Sequence, residues 1–386
     1  MIHQGPAQML EGIKVLDLSR VLAGPWATQM LADFGASVLK IEKPVTGDDT
    51  RQWGPPWHHS GLSTYFSCAN RGKVAATVDF NNAEQLTAVH ELLEQVDVVV
   101  ENFKVGHLKK FGLDSETLLS KWPSLIYCSI TGYGQNGPRA MEAGYDFALQ
   151  GLTGLMSVTG PENGPPFKVG VAVIDIVTGI YACNAITAAL YKRQATGKGA
   201  YIDCSLFDTG IALLANQASA HVLAGTSPKA LGNTHPSIVP YQAYKVNDGF
   251  FIVAVGNDQQ FRVLTQALGQ SHLGEDSRFS TNPSRVKNRE ALNALIAPLF
   301  EKYKRSELER LLAPLGIPCA PVQTIDEVFK DPQLAARQLL TDHPSAKGQP
   351  KLRTIGQPMV INGLRPSHSL PPPEIGHPII NSRCFG

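Results

Sequence analysis

Through the first 130 residues, short apolar runs of strand character alternate with runs of helical period, and that alternation leaves few folds open. Residues 13–18 (IKVLDL) are apolar and partly β-branched, as a buried strand is. Gly24 and Pro25 open a helical stretch, WATQMLADFGA, that Gly35 stops, and residues 37–41 return to strand character. Leu86, Val89, Leu92 and Leu93 set the period of a helix over 81–96, with Asn81 or Asn82 as its N-cap. Residues 97–100 (DVVV) and 125–130 read as further strands. This succession predicts an α/β fold, a parallel sheet covered by helices.

The longest apolar helix candidate covers 174–194 and ends in ATGKG, where Gly197 and Gly199 are stop signals. A strand over 200–205 and a helix over 206–223 follow. Residues 225–240 are rich in Gly, Pro, Ser, Asn and His and read as a linker. Beyond it, 241–255 reads as two strands around the turn 247–249, then come helices at 258–268, 286–303 and 305–313. Residues 341–386 are Pro-rich and lack helical period.

At 386 residues the chain exceeds the roughly 100–200 residues of one ordinary domain, so two units are expected. A composition 43% hydrophobic and 17% charged excludes global disorder. Lys and Arg number 34 against 33 Asp and Glu, a net charge of +1, so there is no basic excess to hold a nucleic-acid backbone. Cys68, Cys128, Cys183, Cys204, Cys319 and Cys384 are scattered, without CxxC or metal-ligand spacing, so neither a zinc site nor a disulfide scaffold is expected. No signal peptide, and no apolar run near the roughly 18 residues of a membrane span, is evident. The chain is expected to be cytoplasmic, or in the mitochondrial matrix if it is eukaryotic with a targeting segment removed.

Residues 132–137, GYGQNG, match G-x-G-x-x-G after a strand. A dinucleotide turn, however, should sit in the first βα unit, with a helix behind it and an acid about 20 residues on. Pro138 and Arg139 follow instead, and the first βα turn, SRVLAGP at 19–25, lacks the glycines, which weighs against a dinucleotide-dependent dehydrogenase. P-loop, HExxH and GxSxG patterns are absent. Asp175 is the odd residue: it lies within VGVAVIDIVTGIYA, where a carboxylate is costly to bury unless satisfied. It is either a helix N-cap or a nucleophilic carboxylate held in a dry pocket at a helix N-terminus.

In many ordered segments the chain resembles the class III CoA-transferases, the family of formyl-CoA transferase and crotonobetainyl-CoA:carnitine CoA-transferase. The matches include LEGIKVLDLSRVLAGP (10–25), LADFGASVLKIEKP (31–44), NRGK (70–73), VENF (100–103) with GHLKK (106–110), ITGYGQNGP (130–138), AGYDFALQGLTGLM (143–156) and GIPCAPV (316–322). GDDTR (47–51), TGPENG (159–164), GNTHPSIVPYQAY (232–244) and GNDQQF (256–261) are most similar to the branch that exchanges CoA between succinyl-CoA and glutarate.

The resemblance places the family's catalytic aspartate, in G-x-x-x-x-D-x-x-x-G, on Asp175. It implies CoA as a substrate with no permanently bound cofactor, and an interlocked homodimer. It also implies a Rossmann-like large domain with an inserted smaller α/β domain, set here at 1–224 and 327–386 for the large and 225–326 for the small. By position Val21, Leu22, Lys43, Arg71, Asn102, Phe103 and Lys110 would contact CoA. Tyr145, Asp146, Gly232 and His235 would line the substrate pocket, Gly232 and His235 in a loop that covers the intermediate. A distal carboxylate on the acceptor needs a cation, with Arg51, Arg71, Lys168 and His235 as candidates.

Other readings of the family pattern are a transferase for itaconate, mesaconate, citramalate or oxalate, and a 2-methylacyl-CoA racemase. Racemases carry His in a G-H-D motif where this chain has Gly144-Tyr145-Asp146, and Tyr, with a pKa near 10, is a poor base at neutral pH. A non-catalytic CoA-binding protein is disfavoured because Asp175 is retained. The ending PPPEIGHPIINSRCFG departs from the helix usual in the family.

Overall fold

The computed structural model describes residues 8–344 and 351–379. They form two compact units: residues 8–155, 168–226, 337–344 and 351–379 make the first, and 156–167 with 227–336 the second. The second unit thus takes in 156–167, a segment placed with the large domain from the sequence. The N–H of Gly232 donates to the carbonyl of Gly160 at 3.0 Å and ties that segment in.

The first unit is built on a six-stranded sheet of β1 (Lys14–Asp17), β2 (Ser37–Glu42), β3 (Lys73–Thr77), β4 (Val98–Glu101), β5 (Ile126–Thr131) and β6 (Ala200–Ser205). The order is β3-β2-β1-β4-β5-β6 and every pair is parallel. Successive residues enter opposite cores: Val15, Val38, Val98 and Ile126 pack on one face, Leu16, Leu39, Val99 and Tyr127 on the other. Burial of both faces is what a parallel sheet requires, and it explains the unbroken apolar runs of the central strands.

Ala23–Asp33 and the long helix Val173–Thr196 supply residues to the first core, Ala83–Leu92 and Ser115–Lys121 to the second. Asn82, one of the two expected caps, accepts the N–H of Gln85 at 3.1 Å. Val173–Thr196 corrects the expectation that no apolar run approaches membrane-spanning length, since by length and composition alone it is long and apolar enough. It is a core helix here, burying Ile174, Thr178, Ala182, Ile186 and Leu190 as one stripe. Gly179 permits its close approach to the first helix: a Cβ there would lie 2.6 Å from the carbonyl oxygen of Ala23. The single helix expected over 206–223 is two, Leu206–Ala212 and Ala215–Ala224, broken where Ala215 takes φ +43°.

Two short strands, β10 (Leu340–His343) and β11 (Leu352–Ile355), pair antiparallel. The chain then passes beside β3, where Thr77 donates its N–H to His377 and accepts that of Ile379, at 3.0 and 3.1 Å. No helix forms among the described residues of this ending, and 380–386 lie outside them.

In the second unit β7 (Tyr241–Val246), β8 (Gly249–Ala254) and β9 (Cys319–Pro321) form an antiparallel sheet in that order. Phe251 packs with Phe261, Leu292, Phe300 and Leu308 from the helices Asp258–Ala267, Arg289–Phe300 and Arg305–Leu312.

Candidate active site

Strand order reverses between β1 and β4, and a cleft of about 180 Å³ opens at the C-terminal ends of the strands there. This is where open parallel sheets bind ligands. Residues 20–23 follow β1, 102–105 follow β4, and Ile130, Thr131 and Gly132 close β5; all line the cleft, with Asp175 on its wall.

The turn after β1 is strained and tightly held. Val21, a β-branched residue, has φ +70°, a rare conformation for such a side chain. Its N–H donates to Asp48 Oδ2 at 3.2 Å. Asn102 grips the preceding residue twice: its Oδ1 accepts the Arg20 N–H at 2.9 Å and its Nδ2 donates to the Arg20 carbonyl at 2.7 Å. Below lies a buried charge cluster in which Lys73 meets Asp17 and Lys40 meets Asp48, each at 3.0 Å. Burial alone would raise the Asp17 carboxyl, but Lys73, Lys40 and the hydroxyls of Ser19 and Thr28 hold it down at about 2.

The second wall depends on two glycines. A Cβ on Gly132 would stand 2.7 Å from the Cα of Gly144, so neither position has room for a side chain. That approach sets Tyr145 on the cleft, 64% exposed, and turns Asp146 inward, 8% exposed. Asp146 Oδ1 accepts the N–H groups of Ile174 and Asp175, at 2.8 and 3.3 Å. Asp175 is therefore not the N-cap. It is the third residue of its helix, the cap position is Ala172, and Asp146 supplies the acceptor.

Asp175 is only 9% exposed, and among the described residues no hydrogen bond holds its carboxylate. Burial, reinforced by the charge of Asp146, pushes its carboxyl up to about 7. Tyr65 senses both acids; burial first, then Asp175, raises its phenol to about 12. A buried, unpaired carboxylate that ionises near neutrality is suited to nucleophilic attack or to proton transfer.

Of the residues expected around CoA, Val21, Leu22, Asn102 and Phe103 line the cleft, and Lys43, Arg71 and Lys110 do not. Lys43 is paired with Asp49 at 2.5 Å, and Lys110 is exposed over the ring of Phe111 at 4.6 Å. Arg71 is buried and committed to Asp33, with Nε 3.1 Å from Oδ1. Asp146 does not line the cleft either, because its carboxylate is spent on the helix end.

Arg51 is held by both oxygens of Glu42, and Lys168 is exposed beside the carbonyl of Val169. Gly232, with φ +60°, and His235, whose ring lies 5.1 Å from that of Tyr241, belong to the second unit. The cations on the cleft are Arg20 and Lys104, which flank Phe103 in the lining and were not singled out from the sequence. Arg20 was there to be found, inside the same first turn as Val21.

The model of CoA-transferase family III matches residues 10–378. The chain is 44% identical over 374 residues to a succinate–glutarate CoA-transferase of Agrobacterium fabrum, covering 95% of this chain and 93% of that one. It is 41% identical over 369 residues to a succinyl-CoA:glutarate CoA-transferase of Homo sapiens, covering 95% and 83%. Among solved structures, a CAIB/BAIF family protein from Brucella suis is 46% identical, with a TM-score of 0.85 over 95% of this chain and 96% of that one. With its six-stranded parallel sheet and a cleft that holds Asp175 at the point where strand order reverses, the chain belongs to CoA-transferase family III and is a CoA-transferase.

Proposed function

We propose that the chain moves CoA between succinyl-CoA and a dicarboxylic acid, glutarate first, with Asp175 as the covalent nucleophile. The observation that carries this reading is the Asp175 carboxylate, buried on the cleft wall without a hydrogen bond of its own among the described residues. The substrates come from the relatives, two of which are named for succinate and glutarate at 41–44% identity over 95% of this chain.

Transfer must keep the thioester energy from water. The Asp175 carboxylate attacks the thioester carbonyl of succinyl-CoA; the C–S bond breaks, leaving an aspartyl–succinyl anhydride and CoA thiolate. The thiolate attacks the aspartyl carbonyl and expels succinate, which leaves an aspartyl-CoA thioester. The acceptor carboxylate attacks that thioester, and the released thiolate then attacks the acceptor's carbonyl in the new anhydride. Acyl-CoA product and the Asp175 carboxylate result. A carboxylate is the fitting nucleophile because each exchange is then near thermoneutral, and dividing one transfer into such steps is covalent catalysis. Val21, Leu22, Asn102 and Phe103 would bear on CoA.

The family's interlocked homodimer is also our reading for this chain. Helix Ala215–Ala224 buries no residue and exposes Val222 and Leu223, at 78% and 85%, while the long helix exposes Ile180, Tyr181 and Tyr191. Apolar surface of this kind marks an interaction face. Light scattering should give twice the 41.7 kDa of one chain.

The decisive experiment is trapping. Enzyme mixed with succinyl-CoA and hydroxylamine should gain a modification on Asp175 by mass spectrometry, and Asp175→Ala should lose at least roughly a thousandfold in turnover. Modification at another residue, or an active alanine variant, removes Asp175 as nucleophile. The kcat/KM ratio of glutarate to valerate tests the substrate class, and a ratio near one removes the dicarboxylate. Faster transfer to itaconate or mesaconate removes glutarate alone.

A further inference from the structure

We infer that Asp146 is a positioning residue for Asp175, capping from outside the helix that carries it; the inference rests on the proposed role of Asp175. Helix Val173–Thr196 starts after Ala172, whose methyl group can accept nothing. The first N–H groups of any helix lack partners inside it. Asp146, from a segment 28 residues earlier, takes two of them on one oxygen, and one of the two is the N–H of Asp175 itself. Its other oxygen accepts from Gln150 Nε2 at 2.6 Å, and the Gln150 oxygen accepts the N–H of Val169 at 2.8 Å. Gln150 is 1% exposed. A buried relay therefore runs from the Val169 backbone through two side chains to the residue proposed to attack the thioester.

The relay acts on Asp175 in two ways. It fixes the backbone from which the carboxylate projects, and a misplacement of about 1 Å at a reacting group can cost roughly a hundredfold in rate. It also sets a negative charge beside Asp175, which opposes ionisation and makes the carboxylate more basic when it does ionise. The other titratable groups facing Asp175 are Tyr65 and, on the cleft, Arg20, Asp49, Lys104, Glu142 and Tyr145. A substrate-binding Asp146 would have to turn its carboxylate from both helix N–H groups, leaving them buried without partners.

The test compares Asp146→Ala and Asp146→Asn with Asp175→Ala, using succinyl-CoA and glutarate. Each is read by kcat, KM, the acid limb of the pH–kcat profile and hydroxylamine trapping at Asp175. Asp146→Ala should lower kcat by roughly a hundredfold and slow trapping in proportion, while KM for succinyl-CoA moves less than about threefold. Asp146→Asn keeps an oxygen for both helix N–H groups, but its NH2 meets the Gln150 Nε2 donor, so Gln150 must turn its own oxygen to it and release the Val169 N–H. The kcat at pH 8 should still stay within about tenfold of wild type, because the two N–H groups that hold Asp175 remain paired. Its acid limb should move down by about one pH unit, because the neighbouring charge is gone.

If the alanine variant does not fold, the shift in the asparagine variant decides alone. Unchanged kcat in a folded Asp146→Ala, or an acid limb that stays in place in Asp146→Asn, overturns the inference. An inactive Asp175→Ala beside such an indifferent Asp146 removes only the positioning role. An active Asp175→Ala removes the nucleophile itself.

Discussion

The backbone N–H of Val21 points at the carboxylate of Asp48, 3.2 Å from Oδ2, and this contact joins the strained cleft turn to the buried charges beneath it. Asp48 also pairs with Lys40 at 3.0 Å, both side chains fully buried, and Lys40 donates to the carbonyl of Ser19 at 2.8 Å. One carboxylate thus serves the sheet interior and the ligand-facing backbone together. A residue held in the left-handed region costs on the order of 1–3 kcal/mol, which such contacts must offset.

Asp48→Ala should therefore harm both stability and binding. It leaves Lys40 buried without that partner, a loss of about 3–5 kcal/mol by urea unfolding. In the folded fraction KM for acyl-CoA should rise, as the turn relaxes and Val21 and Leu22 leave their places. Val21→Gly, which takes the same φ without strain, should keep the fold. An Asp48→Ala variant with wild-type stability would show that the charge cluster does not support the turn.

Turnover should climb with pH through about 7, because the attacking form of Asp175 is the carboxylate and its carboxyl is pushed up to about 7. A pH profile of kcat/KM for succinyl-CoA measures it. A flat profile from pH 5 to 8 would mean that Asp175 ionises in the ordinary carboxylate range.

The same shift bears on stability, with a fixed sign. The Asp175 carboxyl is pushed up to about 7 in the folded chain, from an ordinary aspartate value of 3.8, so folding favours the protonated form. The cost of ionisation is absent below the unfolded value, grows between the two, and is complete above about 7. At about 1.4 kcal/mol per pH unit it amounts to a few kcal/mol. Asp175→Asn should raise the melting temperature more at pH 8 than at pH 4, while abolishing transfer. An equal change at both pH values would refute the linkage.

Gly179→Ala places a methyl group 2.6 Å from the carbonyl oxygen of Ala23, backbone that cannot swing aside. About 1–3 kcal/mol of stability should be lost. Because Ala23 lines the cleft and Asp175 sits one turn back on the same helix, kcat should fall as well. Thermal melts and steady-state kinetics on one preparation measure both, and full activity would mean that the helices separate without disturbing the site.

Tyr145 predicts that the enzyme does not racemise. It occupies the cleft position where racemases of this fold carry His, and a phenol is a poor base at neutral pH. Incubation of 2-methylacyl-CoA in heavy water, followed by NMR, should show no deuterium at the α-carbon on the timescale of transfer. Incorporation at a comparable rate would favour the racemase.

Strands β1, β2, β4 and β5 were legible because burial on both faces writes itself as short runs rich in Val, Ile and Leu, although β2 also buries Lys40. Strand β3 was not: KVAAT begins with a lysine, and Lys73 can be buried because its ammonium reaches Asp17, 56 positions away, with Asn70 and the Pro25 carbonyl as its other acceptors. Asp175 stood out by itself, a lone acid in an apolar helix. Its cap did not, since nothing local connects Asp146 to a helix start 28 residues on. Arg71 misled in the opposite direction. An isolated arginine in a turn reads as a phosphate ligand until Asp33, 38 positions earlier, is seen to hold it. Short-range patterns carry the elements, whereas polar side chains take their roles from partners that only the folded chain brings near.

The stretch that ends in Ile379 has a consequence beyond the site. Strand β3 is one of the two edge strands of the six, and an edge strand offers a row of unpaired N–H and C=O groups on which another chain can polymerise. Thr77 instead has both backbone groups occupied, by His377 and Ile379, and Gly376 passes so near Ala75 that a Cβ there would lie 1.9 Å from its carbonyl oxygen. The stretch 376–379 thus covers this edge at Ala75 and Thr77. Removal of 371–386 should leave the cleft residues in place yet cost the protein its solubility.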